Sequence, residues 1–288
     1  MADAKIHVNS SSEAGLAVNS YLVETENGVV AVDAQLLVSE ARAFRTKLEA
    51  LNKPLLAVLV THPHGDHVAG ITELVRSTDG SSEVPIAALP SVEWVMRETE
   101  VEKRAQCEPV FGNEWVQSWT YPNRFVSDRE TVEFDGVVYR VHDMGPGGDS
   151  EANSIWIVEE GLRAAFTGDL FFNGTHSYVA DGFVLAWLAN LENARSLLAE
   201  AGTLYPGHGP EASLDRLEAQ KAYLLAYSAA VRELSGGEPV LTESAKEELE
   251  ARMETFLPGA PLRFMVGLSA DAVAAELAGR GKVLPVDL

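Results

Sequence analysis

Thr61-His62-Pro63-His64-Gly65-Asp66-His67 decides how this chain reads. Three of its seven histidines and one aspartate fall within six positions, directly after the apolar run Leu55-Leu56-Ala57-Val58-Leu59-Val60. Pro54 precedes that run, and Pro63 and Gly65 break the chain just beyond it. A run of this length between such breakers predicts a buried strand that delivers the cluster onto a loop at a sheet edge. Imidazole and carboxylate are ligands that borderline divalent ions such as zinc favour, and alternation within a tight loop lets its side chains face two neighbouring ions. His62 and His64 can then serve one ion, and Asp66 and His67 another. The alternative, a polar turn with incidental histidines, leaves their concentration here unexplained.

His-x-His-x-Asp-His after a hydrophobic strand resembles the metallo-β-lactamase fold superfamily, and further landmarks stand in the expected order. Asn19-Ser20-Tyr21-Leu22-Val23-Glu24 and Gly28-Val29-Val30-Ala31-Val32-Asp33 look like that family's opening strand pair. Asn27-Gly28 between two such runs is a hairpin signal whatever the family. Gln35 stands where the family usually has a glycine. Phe166-Thr167-Gly168-Asp169 ends another apolar strand, and the resemblance implies that Asp169 bridges two metals, one through each oxygen. Tyr205-Pro206-Gly207-His208-Gly209-Pro210 is similar to the turn carrying the family's last ligand, where proline and glycine fix the backbone around the imidazole. The resemblance places His208 with Asp66 and His67.

One landmark departs from the pattern. The family usually supplies a third histidine to the His62/His64 ion, but the segment from Met144 to Trp156 contains none. Its Gly145-Pro146-Gly147 lead-in and the apolar strand from Ser154 are recognisable, so the loop is expected in place with its ligand changed. Asp149, directly after the glycine turn, is preferred over Glu151; His142, in a strand pattern, is expected to be structural. A weakened or empty first site is the other reading. The resemblance thus implies His62, His64 and Asp149 on one ion, Asp66, His67 and His208 on the other, and Asp169 between them. Two zinc ions per chain are expected, with iron or manganese as substitutes.

The chain of 288 residues can bury a sizeable core, and 46% hydrophobic residues suit a soluble globular protein. Its 43 acidic residues against 22 basic give a formal charge of −21, which disfavours nucleic acid as a partner. A small, uncharged or weakly anionic substrate is the expectation. No stretch approaches the roughly 20 apolar residues of a membrane span, and the start of the chain reads as neither signal peptide nor anchor. The single cysteine, Cys107, rules out an internal disulfide and fits a reducing compartment, so a cytoplasmic protein without a membrane partner is expected.

Periodicity predicts helices over Val38–Leu51, 91–105 and 185–200, alternating with the strands, so the fold class is α/β, an αββα sandwich with helices outside. The family resemblance covers roughly residues 6–210, giving a catalytic domain over 1–210. From 211 to 288 the pattern becomes a helical extension, with helices over Leu214–Leu234, Glu243–Phe256 and Asp271–Leu277. Their apolar stripes need burial, against the sheet and, in a homodimer, against a second copy. The aromatic segment Phe111–Phe125 reads equally as a loop over the metals or as core. Asn173 and His176, close after Asp169, are candidates for orienting a carbonyl or protonating a leaving group, and Asp66 and His176 are the expected catalytic pair.

These assignments imply a hydrolase in which a metal-bridging hydroxide attacks an ester, lactone, thioester or amide carbonyl. A mononuclear iron dioxygenase on the same fold is the alternative, since it needs only one complete site. A di-iron flavoprotein partner is disfavoured, because position 64 is His where that branch has a carboxylate and no flavin module is evident downstream. A non-catalytic binding protein is the third reading.

Overall fold

The apolar runs of the first half pair into one sheet and those of the middle into a second, in a computed structural model that describes residues 4–76 and 83–281. The first three positions of the segment 1–210 and the last seven of 211–288 therefore lie outside the described residues. Strands β1 (Lys5–Ser10), β2 (Asn19–Glu24) and β3 (Val29–Val32) run antiparallel, and helix α1 (Val38–Ala50) returns the chain to β4 (Leu55–Leu59), parallel to β3. Short helices α2 (Gly65–Val68) and α3 (Ile71–Leu74) come next, then β5 (Ile86–Ala88), helix α4 (Pro90–Phe111) and β6 (Arg124–Phe125). The sheet order is β1-β2-β3-β4-β5-β6.

The second sheet holds β7 (Thr131–Phe134), β8 (Val137–Gly145), β9 (Asn153–Val158), β10 (Ala164–Phe172) and, after helix α5 (Val184–Leu197), β11 (Thr203–His208). Its order is β11-β10-β9-β8-β7. Buried runs such as Val29–Val32 and Ala164-Ala165-Phe166 are apolar on both faces because a sheet lies on one side and helices on the other. Trp156 of β9 donates its indole N–H to the Val60 carbonyl at 3.0 Å, and the Tyr21 and Phe166 rings meet at 5.2 Å across the sandwich. The result is an αββα arrangement followed by four helices, α6 (Leu217–Ser235), α7 (Glu243–Phe256), α8 (Phe264–Leu268) and α9 (Ala270–Leu277), among the described residues.

The β2–β3 hairpin forms with Asn27-Gly28 in its loop, which spans Thr25 to Gly28 without a positive φ at either residue. Gly28 is required for space, since a Cβ there would run into the Leu56 side chain. One local expectation needs correction. Helix α4 continues past 105 to Phe111, with Pro109 inside its last turn. Proline at that end forfeits one hydrogen bond without ending the helix.

The helices after Pro210 bury their stripes against the second sheet. Leu217, Leu224 and Val231 of α6 share one apolar cluster with Phe171 of β10 and Trp187 of α5. Leu224 is fully buried, and Tyr227 donates its hydroxyl to the Val266 carbonyl at 2.6 Å, tying α6 to α8. Truncation after Pro210 is therefore expected to give insoluble or molten protein, judged by solubility and near-ultraviolet circular dichroism. In the full chain, Leu224→Ala should lower the free energy of unfolding in urea by about 2–5 kcal/mol.

Candidate metal centre

The loop after β4 is set by a carboxylate outside the motif. Asp33, at the end of β3 with φ +57°, accepts the Thr61 backbone N–H at 2.8 Å and the Thr61 hydroxyl at 2.7 Å. The same carboxylate lies 2.9 Å from Nδ1 of His67. Thr61 Oγ1 is in turn 3.0 Å from His62 Nδ1. On the far side of the site, His208 Nδ1 bonds the Leu16 carbonyl at 2.9 Å, in a turn where Leu16 and Ala17 also carry positive φ. His64 differs: its Nε2 lies 3.2 Å from Asp181 and its Nδ1 faces the cluster. Each imidazole thus has one nitrogen tied to a fixed partner, which orients the ring and leaves the other nitrogen for the interior.

The inward atoms converge. His64 Nδ1 lies 2.8 Å from Asp149 Oδ2, and His62 Nε2 lies 3.6 Å from Asp149 Oδ1. His208 Nε2 is 3.3 Å from Asp66 Oδ2 and 3.1 Å from Asp169 Oδ2, while His67 Nε2 is 3.3 Å from Asp169 Oδ1. Asp169 also reaches within 3.9 Å of His62 Nε2, so it lies between the two groups. Ligand atoms of His62, His64 and Asp149 lie within 4.8 Å of one another, as do those of Asp66, His67 and His208. Asp33, His62 and His67 meet the same spacing, but the Asp33 oxygens already receive Thr61 and His67, so Asp33 orients the site from outside.

The surrounding loops explain the convergence. Asn190 of α5 donates to the Gly147 carbonyl at 3.1 Å and to that of Met144 at 2.5 Å, holding the segment that carries Asp149. Asn19 and Tyr21 of β2 both donate to the Pro206 carbonyl, which fixes the turn before His208. Gly207 is glycine because a Cβ would occupy the position of the Asp169 carboxylate.

Electrostatics tie the groups together. Burial works against charge on His64 and His208, yet Asp149 and Asp181 around the first, and Asp169 and Asp66 around the second, outweigh it and push both up to about 10. Burial and the neighbouring His67 push His62 well below its ordinary value. Against burial, His208, His67 and His62 hold Asp169 well below the usual carboxylate range. Burial pushes Asp149 well above that range, with Asp169 adding to the rise and His64 opposing it.

The residues present fit divalent cations. His62 Nε2, His67 Nε2, Asp149 Oδ1 and Asp169 Oδ1 are buried and have no hydrogen-bond partner, although each points at the cluster. Nitrogen and carboxylate oxygen in this proportion suit zinc, iron or manganese.

Every residue of the expected ligand set comes to one place. Glu151 remains partly exposed two positions beyond Asp149, and His142 is half-buried in β8 opposite Ile155. His176 is not brought to the cluster. Its Nδ1 lies 3.1 Å from Tyr223 Oη of α6, its backbone N–H bonds the Pro261 carbonyl, and burial lowers its pKa. The expected catalytic role of His176 therefore gives way to a place in the seam between β10 and the C-terminal helices. Asn173 donates to the Pro210 carbonyl at 2.9 Å and supports the His208 turn rather than facing a substrate. Trp115 and Trp119 are buried in the core, and Trp115 also forms a wall of the cavity over the cluster. That cavity, of about 470 Å³, is bounded by His64, Asp66, Asp149, Asp169 and His208 on its floor. The sequence reading missed Asp181 and Tyr178, whose hydroxyl donates to Asp181 at 3.1 Å; neither stands in a motif.

Residues 14–222 match the family described as the Metallo-beta-lactamase superfamily. The chain is similar to the Beta-lactamase-like protein 2 homolog of Caenorhabditis elegans, 27% identical over 67% of this chain and 56% of that protein. It is also similar to the Atrochrysone carboxyl ACP thioesterase of Aspergillus fumigatus, 26% identical over 66% of this chain and 37% of that protein. The chain thus spans between 37% and 56% of the length of these two curated relatives. A solved metallo-beta-lactamase from Pontibacter korlensis shares the fold with a TM-score of 0.60 at 18% identity, covering 78% of this chain and 99% of that one.

A ligating imidazole must be neutral, so metal uptake by the protonated His64 and His208 has to expel protons at neutral pH. Addition of zinc to metal-free protein in dilute buffer should acidify the solution, and apparent affinity should climb between about pH 6 and pH 9. Affinity that is independent of pH, without proton release, would show that these nitrogens do not bind the ion.

Proposed function

This chain belongs to the metallo-beta-lactamase superfamily, and from that premise we propose that it is a dinuclear metal-dependent hydrolase of a small ester, lactone, thioester or amide. The observation that carries the reading is the convergence of two His-His-Asp groups, with Asp169 between them, on the floor of a cavity. The similarity to a thioesterase and to a beta-lactamase-like protein supports attack on an acyl carbon without choosing the leaving group.

His62, His64 and Asp149 would hold one ion, Asp66, His67 and His208 the other, and Asp169 would touch both. Divalent ions held there supply Lewis acidity, polarising a carbonyl oxygen and lowering the pKa of water. The chain's own groups do the rest. Asp66 faces the cavity and can take a proton from the attacking water and return it to the leaving group. Tyr178 donates its hydroxyl to Asp181, which is also near His64 Nε2, so the phenol holds an orienting carboxylate. The apolar walls lower the polarity around the reacting centre, which strengthens the electrostatic interactions within it.

One feature favours a second reading. With a carboxylate at 149, His62, His64 and Asp149 form a set of two histidines and one carboxylate, a combination that also suits ferrous oxygenases. Metal analysis of protein purified without added metal separates the readings: two zinc or manganese ions per chain support the hydrolase, and a single iron with oxygen consumption supports the oxygenase.

The hydrolase reading is tested with lactone, β-lactam, thioester and aryl ester substrates before and after chelation. Turnover of at least one class should vanish on chelation and return with metal. Asp149→Ala should lose one ion per chain and about a hundredfold or more of kcat/KM, Asp149→His should keep both ions, and Glu151→Ala should stay within about threefold of the parent. Two ions and full activity in Asp149→Ala would refute the assignment of that side chain.

A further inference from the structure

Part of the cavity wall comes from two helices that carry none of the ligand motifs. The last two turns of α4 turn Lys103, Cys107 and Val110 to it at a spacing of four and three residues, one face of a helix, with Phe111 beside them. Across the opening, α8 contributes Phe264 and Leu268, again four apart. Val110 is 73% exposed, Phe264 51% and Leu268 60%, so three large apolar side chains stand in water around one opening. A rim of this kind is a cost to the free protein unless an apolar ligand covers it.

The charges around the cavity are unequal. Glu13, Asp66, Asp149 and Asp169 supply its carboxylates, and Lys103 is the one lysine or arginine among its described lining residues. Lys103 is partly buried, and among the described residues its ammonium enters no ion pair or hydrogen bond. Its Nζ lies 5.8 Å from the centre of the Tyr178 ring, which in turn meets His64 at 5.3 Å. The ammonium therefore shares the cavity with the His/Asp cluster, with the Tyr178 ring between it and His64 and no carboxylate paired with it among the described residues. In a chain of net charge −21, an unmatched cation at the apolar mouth of a site is a place for an anion.

We propose that the site takes an amphiphilic anion: a substrate whose apolar acyl or aryl part lies between Phe111 and the Phe264–Leu268 face, and whose carboxylate, sulfonate or phosphate pairs with Lys103 a few bonds from the scissile carbonyl. The proposal rests on the hydrolase reading for the word substrate, but the binding it describes does not depend on turnover. It also gives the C-terminal extension a role, because α8 supplies half of the apolar mouth.

Two dyes of nearly equal shape test it on the full chain, both metal-loaded and chelated. 8-Anilinonaphthalene-1-sulfonate carries an anion that its neutral counterpart N-phenyl-1-naphthylamine lacks. Both should saturate at one per chain, with the anionic dye bound about tenfold more tightly at low salt. Lys103→Met should abolish that preference while leaving the neutral dye unchanged, and Lys103→Arg should retain it. Leu268→Glu should weaken both dyes by about tenfold or more, with the thermal midpoint near that of the parent because Leu268 is exposed. An unchanged ratio of the two dyes in Lys103→Met, or unweakened binding in Leu268→Glu, overturns the proposal. If chelator-sensitive turnover is absent on every ester while the dyes behave as expected, the hydrolase reading fails and the amphiphile site stands. If turnover is present and the dyes do not discriminate, the reverse holds.

Discussion

Asp66, Asp149 and Asp169 are buried within a few ångströms of the clustered imidazoles, and like charges so placed cannot all remain ionised without compensating positive charge. In the metal-free chain, protons on His64, His67 and His208 supply it, and Asp149 is driven towards its neutral form. Divalent ions would replace those protons with more charge in a fixed place. Much of the surrounding architecture serves to hold this repulsive arrangement together. The strained turns at Leu16, Ala17 and Asp33 flank it on two sides, and a strained residue costs of order 1–3 kcal/mol that the rest of the fold has to offset.

The groups that orient the site come from many elements. Asp33 ends β3, Leu16 precedes β2, Asn190 belongs to α5 and Asp181 precedes that helix. Each makes a hydrogen bond to a loop that would otherwise be free to move, so the position of the ligand atoms depends on both sheets being docked. Asp149 follows a glycine turn that Asn190 anchors, and it stands where the family resemblance leads one to expect a histidine. If it held an ion as proposed, its oxygen would add negative charge there and weaken the Lewis acidity relative to a third imidazole.

The C-terminal helices connect stability to the site. The seam holding His176 and Tyr223 joins the end of β10 to α6, and the Tyr227–Val266 bond continues it to α8. Damage to the α6 packing would therefore be felt at the cavity mouth through α8. Among the described residues no helix is long and apolar enough to cross a membrane, so the exposed apolar rim is not part of such a span.

The sequence alone named the residues that the fold brings together, because metal ligation would demand particular residue types at short spacing and the strands delivering them have a local apolar signature. His62 to His67, Asp169 and His208 could be named from motif and order, and Asp149 from the glycine turn before it. Helices with strong stripes, such as Glu243–Phe256, were legible at their true boundaries for the same local reason. What only the tertiary structure decided lies in contacts between distant positions. His64 meets Asp181 across 117 residues, His176 meets Tyr223 across 47, and Lys103 and Leu268 share one cavity mouth. No period or spacing encodes such pairs. A histidine close in sequence to a metal ligand can still leave the site when its strand end turns into a seam with another helix, and His176 did so. The five-residue α8, too short for a periodic signal, acquires its meaning only from the α4 face opposite.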